Sequence, residues 1–173
     1  MTTLRPALLL ACLLVATPVI GGCQTPADNQ GRSTQFQQPD DLVAGRLVMG
    51  NEPLEDRDRN GYVDTFRIVV YVFGDETVYP LPMLVDATFQ FRLVGEDGES
   101  LGVWAFPSRE SRRAVFPTQP GPAYGFEISL NDQGTDRVPA QSAGLTCQIT
   151  TDDGDRVSTR EPLMLRIGGK DPR

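Results

Sequence analysis

Leu84-Val85-Asp86-Ala87-Thr88-Phe89-Gln90-Phe91-Arg92-Leu93-Val94 is the stretch from which the fold can be read. Thr88, Gln90 and Arg92 alternate with Phe89, Phe91 and Leu93, so an extended chain places the polar side chains on one face and the bulky apolar ones on the other. Working outward, runs of the same kind occupy 42–49, 65–73, 101–106, 112–116, 123–130, 143–150 and 155–168, the last broken at Pro162. No window carries a convincing helical period. Glu96-Asp97-Gly98 and Asp153-Gly154 sit between such runs, where glycine supplies the positive φ of a tight turn. Proline-rich pieces at 80–82 and 117–122, and Pro139, separate others.

About eight short strands with frequent turns predict an all-β chain, a single antiparallel β-sandwich over residues 41–173 that resembles immunoglobulin and fibronectin domains. An up-and-down barrel is the alternative. Trp104, read as lying on a short central strand, is a candidate core residue, with a solvent-facing ring as the other reading. Tyr124, Phe126, Ile128 and Leu130 share one face of a strand and are expected in the core. So is Cys147, between Leu145 and Ile149, as a structural thiol.

Composition excludes several functions. The 173 residues include no histidine, which removes imidazole bases, Ser-His-Asp and Cys-His catalysis and histidine zinc sites. The net charge of −7, from 16 cationic and 23 acidic residues, gives no basic field for phosphates, so nucleic acid is not an expected partner. No glycine-rich phosphate loop runs from a strand into a helix. Arg109, Arg112 and Arg113 beside Glu110 read as a solvated strand edge, which discourages sheet-to-sheet pairing.

The N-terminus carries an address. Arg5 precedes an apolar run from Ala7 to Val15, then Ala16-Thr17-Pro18-Val19-Ile20-Gly21-Gly22-Cys23. The run is short of the ~20 residues that span a bilayer. Ile20-Gly21-Gly22-Cys23 resembles the lipobox of bacterial lipoproteins, with Gly21 where that family more often has alanine or serine. The resemblance implies that residues 1–22 are a signal peptide, that the Cys23 thiol receives diacylglycerol, and that fatty chains such as palmitate anchor the protein to the cell envelope. Two or three chains hold firmly where one holds marginally. The same resemblance implies, from Gln24 in place of Asp after the cysteine, the outer rather than the inner membrane, with the domain facing periplasm or exterior. Residues 23–40 form the lipidated segment and a polar tether reaching some 20–25 Å. Cys12 falls in the signal and Cys23 takes the lipid, so Cys147 has no disulfide partner.

Asp56-Arg57-Asp58-Arg59-Asn60-Gly61-Tyr62-Val63-Asp64 resembles the calcium loops of EF-hand, dockerin and thrombospondin-repeat proteins. The resemblance implies Asp56, Asp58 and Asn60 as side-chain ligands, Tyr62 as a backbone ligand and Asp64 as a direct or water-bridged one, since calcium takes six to eight oxygens. It stops there: Arg67 stands where an EF-hand has its bidentate glutamate, and Thr65 onward reads as strand. Two readings stand, a loop stiffened by Ca2+ or a solvated turn reversed at Asn60-Gly61. If every strand reverses direction, the loops at 50–64, 95–99, 117–122 and 151–155 share one end, gathering Asp56/Asp58/Asp64, Glu96/Asp97/Glu99 and Asp152/Asp153/Asp155 at an acidic tip. The sequence therefore predicts a non-enzymatic, lipid-anchored envelope module with a membrane anchor and an unidentified protein or glycan partner. The alternatives are a calcium-dependent adhesion or assembly module and a small carboxylate-based glycan-active enzyme, which would need a cleft for its carboxylates.

Overall fold

The computed structural model describes residues 38–135 and 137–170. The signal at 1–22, Cys23 and the tether up to residue 37 lie outside the described residues. The described chain is an antiparallel β-sandwich. Its strands are β1 (Arg46–Asn51), β2 (Tyr62–Val63), β3 (Thr65–Phe73), β4 (Ala87–Val94), β5 (Ser100–Phe106), β6 (Val115–Pro117), β7 (Pro122–Ser129), β8 (Gln141–Thr151), β9 (Arg156–Ser158) and β10 (Leu163–Lys170). One sheet has the order β1-β3-β7-β6 and the other β2-β10-β8-β4-β5, with β9 also beside β8. Taking β1, β3, β4, β5, β6, β7, β8 and β10 as A, B, C, C′, D, E, F and G gives the ABED and GFCC′ order of immunoglobulin-like sandwiches.

Alternation builds the core. Phe66, Ile68, Val70 and Val72 of β3 face Ala87, Phe89, Phe91 and Leu93 of β4, and all eight are fully buried. Phe126 of β7 touches Phe89, Phe91 and Phe106 at ring distances of 4.9, 5.2 and 4.7 Å, which ties the two sheets together. Each buried phenylalanine contributes about 1.5–3 kcal/mol by leaving water, and each aromatic pair about 0.5–1.5 kcal/mol more. Tyr124 and Ile128 are buried along β7, as expected, and Leu130 is buried too, though it opens a 3-10 turn (Leu130–Gln133) after the strand rather than continuing it. The Tyr124 hydroxyl donates to the Val85 carbonyl at 2.9 Å and accepts from the Val85 amide at 2.7 Å. Cys147 is buried, and burial pushes its thiol up to about 12.

Three expectations are corrected. Trp104 is in the core, but on the edge strand β5 rather than a central one; its indole N–H donates to the Ser129 carbonyl at 3.2 Å. The expected strand at 112–116 is largely helical: α1 (Ser108–Ser111) and a 3-10 turn (Arg112–Ala114) precede the short β6. Ser111 drives this. Its buried hydroxyl donates to the Ala87 carbonyl at 2.6 Å, which pins the turn under β4 and exposes the arginines around it. The acidic tip is corrected in consequence. That turn takes up the reversal assigned to a strand, so β5 and β6 run toward the same end. The loops at 52–64 and 95–99 share one end with 130–140, whereas 118–121 and 152–155 lie at the opposite end with 74–86.

The break at Pro162 is observed. Thr159 meets Cys147 through two hydrogen bonds, Thr159 N to Cys147 O at 2.9 Å and Cys147 N to Thr159 Oγ1 at 3.2 Å, before the chain resumes as β10.

Candidate functional site

The loop after β1 is closed at its base by a bridge between Glu55 and Thr65, whose backbones exchange hydrogen bonds of 2.9 and 3.0 Å. Inside, the acidic side chains fold onto the backbone. Asp56 accepts from the amides of Asn60 at 3.0 Å and Gly61 at 2.7 Å. Asp58 accepts from the Asn60 amide at 3.1 Å and from its side-chain amide at 3.0 Å. Asn60 in turn accepts from the Tyr62 amide at 2.8 Å. Arg59 and Gly61 sit at φ 60° and 94°, the left-handed conformations such a winding demands. These bonds hold the loop in a tight turn while leaving lone pairs on the same carboxylate oxygens, each of which has more than one.

Asp64 behaves differently. It is fully buried, and its carboxylate accepts from Thr65 Oγ1 at 2.9 Å, the Arg57 amide at 3.3 Å and Asn131 Nδ2 at 2.9 Å. The backbone carbonyl of Asp64 also accepts from the Leu130 amide at 2.9 Å. Among the sequence-predicted ligands, Asp56, Asp58 and Asn60 are therefore brought together on one set of amides, while Asp64 is turned inward to fasten the loop to the segment after β7. Tyr62 lies in β2 opposite Lys170. Among the described residues no group of three or more Asp, Glu or Cys side chains is gathered as a metal ion requires.

Arg57 leaves the loop to make a two-pronged pair with Glu127 on β7, one prong at 3.2 Å. That partner, by hydrogen bond and charge, raises the guanidinium above its ordinary value. At the far end, Arg112 pairs with Asp86 at 2.6 Å and Asp152 at 3.4 Å, so one carboxylate from the expected tip is tied to the helical turn instead. The Asp64–Asn131 and Arg57–Glu127 links were missed by sequence reasoning, because nothing local signals partners 67 and 70 residues away.

β10 fixes the other side of the loop. Gly168 and Gly169 both have φ near 66–67°, and the strand bends there to pair with Tyr62–Val63. A Cβ on Gly168 would lie 2.2 Å from the Val138 carbonyl oxygen, so only glycine lets the strand pass this close. No protein-family model, curated protein or solved structure matches this chain.

Proposed function

We propose that this protein is a non-enzymatic, lipid-anchored binding or structural module of the bacterial cell envelope. The observation that carries the reading is the order of features from Ala7 to Cys23: an apolar run too short to span, a branched residue, two glycines, then cysteine. Acyl chains on Cys23 supply the membrane attachment, and the sandwich supplies surfaces rather than a reaction. The described chain begins at Gln38, whose side-chain amide grips the Leu84 backbone through bonds of 2.9 and 2.7 Å. This grip lies at the end opposite the 56–64 loop. With β8 spanning 11 residues, the sandwich holds that loop roughly 35 Å from the gripped end.

The narrower reading, a calcium-dependent adhesion or assembly module, is favoured by the prefolded turn at Asp56, Asp58 and Asn60. Such a turn needs little reorganisation before a cation joins it. Melting of the full chain in millimolar calcium and in chelator tests the narrower reading. The anchor is tested by the intact mass of the native protein taken from membranes.

A further inference from the structure

We propose that the outer face of the second sheet, formed by β10, β9, β8, β4 and β5, binds an anionic polysaccharide. The inference deepens the reading above by giving the partner a chemistry, and it rests on that reading.

The first observation is a segregation of charge. The chain has 23 acidic residues, yet the strands of the first sheet carry a single one, Glu127 of β7, and β2, β4, β5, β8, β9 and β10 contain no Asp or Glu. Their carboxylates are relegated to the connecting loops, at Glu96–Glu99, Asp152–Asp155 and Glu161. The outward positions of the same strands carry Arg92, Arg156 and Arg166, all exposed. Among the described residues none of these three arginines forms an ion pair. Elsewhere in the domain Arg46, Arg57, Arg67 and Arg112 each do, and among the described residues Arg59, Arg109, Arg113, Arg137 and Arg160 do not. The Glu96 carboxylate reaches the Ser142 amide at 2.8 Å, beside Arg166, and Asp155 adjoins Arg156, yet neither pairs with a guanidinium, so the three groups remain free for an acidic partner.

Spacing sets the size of that partner. Arg92 lies beside Thr146, Arg166 beside Ser142 and Arg156 beside Thr150. Four residues along and two strands across place Arg92 about 16 Å from each of the others, and Arg156 about 27 Å from Arg166. A small anion meets one of these groups. An extended polyanion meets all three.

Between the arginines the surface is uncharged and rich in hydrogen-bonding groups. Gln90, Thr146 and Gln148 line a shallow groove with Arg92, of about 570 Å³. No aromatic side chain occupies an outward position on β4, β5, β8 or β9, so the face lacks the anchors that dominate protein–protein interfaces. Amides and hydroxyls facing sugar hydroxyls, with guanidinium groups facing carboxylates, suit a charged glycan better than an acidic polypeptide.

Titration calorimetry of the full chain in detergent, with polygalacturonate as probe and neutral dextran and poly-glutamate as controls, tests the proposal. Polygalacturonate is expected to bind and dextran not to. Arg92→Glu should weaken binding about tenfold or more without changing the melting temperature, since the residue is exposed. Gln148→Ala should weaken polygalacturonate binding and leave any poly-glutamate signal unchanged. Absence of polygalacturonate binding, binding indifferent to Arg92→Glu, or poly-glutamate binding as tightly as the glycan would each overturn it. Loss of this face with lipid still found on Cys23 leaves the envelope reading standing. An unmodified Cys23 removes that reading whatever the calorimetry shows.

Discussion

Asn131 donates its side-chain amide to the buried carboxylate of Asp64 at 2.9 Å, across 67 residues of sequence. The loop that resembles a calcium site is thereby fastened to the turn after β7, and Thr65 Oγ1 and the Arg57 amide complete the set of donors around the same group. A carboxylate with no exposed surface needs such donors, because an unpaired charge away from water is costly.

Asn131→Ala removes one of these donors from a buried charge. The expected loss is about 1.5–3 kcal/mol, seen as a lower urea midpoint with an unchanged slope. An unchanged midpoint would mean that Asp64 does not depend on this lock.

Gly168→Ala places a methyl group against the Val138 carbonyl at a left-handed position. Destabilisation of about 2 kcal/mol or more is expected. Hydrogen exchange should show the losses concentrated at Tyr62–Val63 and the loop before them, since β10 is what β2 pairs with. Gly98→Ala is the contrasting variant: its φ is 80°, but a Cβ there meets open space, so it should cost only the backbone strain.

Burial raises the Tyr124 phenol from 10.0 to about 12 and the Cys147 thiol from 9.0 to about 12. Both are acids kept neutral by the fold. The unfolded chain loses these protons first, so their contribution to stability is complete below about pH 9 and is lost as pH rises toward 12. Urea midpoints should fall over that window, and Tyr124→Phe combined with Cys147→Ala should flatten the fall. The native thiol should also resist an aromatic disulfide reagent at pH 8 and react once the chain is unfolded.

Calcium at 100 times its dissociation constant adds about 2.7 kcal/mol to the stability of a protein that binds it only when folded. The melting temperature is expected to rise with calcium and to stop responding in Asp58→Ala. No response in the unaltered chain would reduce the loop to a solvated turn.

The strands most legible in the sequence were those with large apolar residues at every second place. The bounds of β3 and the end of β4 could be read closely because Phe66 to Val72 and Phe89 to Leu93 leave no other face for the core, whereas Leu84–Asp86, read as strand, precede the start of β4 at Ala87. The segment around Ser111 was not legible. Its short polar run has neither period, and the hydroxyl that decides its shape works through Ala87, distant in the chain. One strand misread as extended was enough to gather loops from opposite ends into a single tip. In the candidate loop, the turn at Asp56–Gly61 could be read from residue types and spacing. The inward rotation of Asp64 could not, since it depends on Asn131.

The intact mass of the native protein extracted from its membranes tests the central claim most directly. The account predicts a chain beginning at Cys23, heavier than its amino-acid mass by a diacylglycerol and by any further acyl group on the new amino terminus. A chain that still carries residues 1–22, or that begins at Cys23 with a bare thiol, contradicts it.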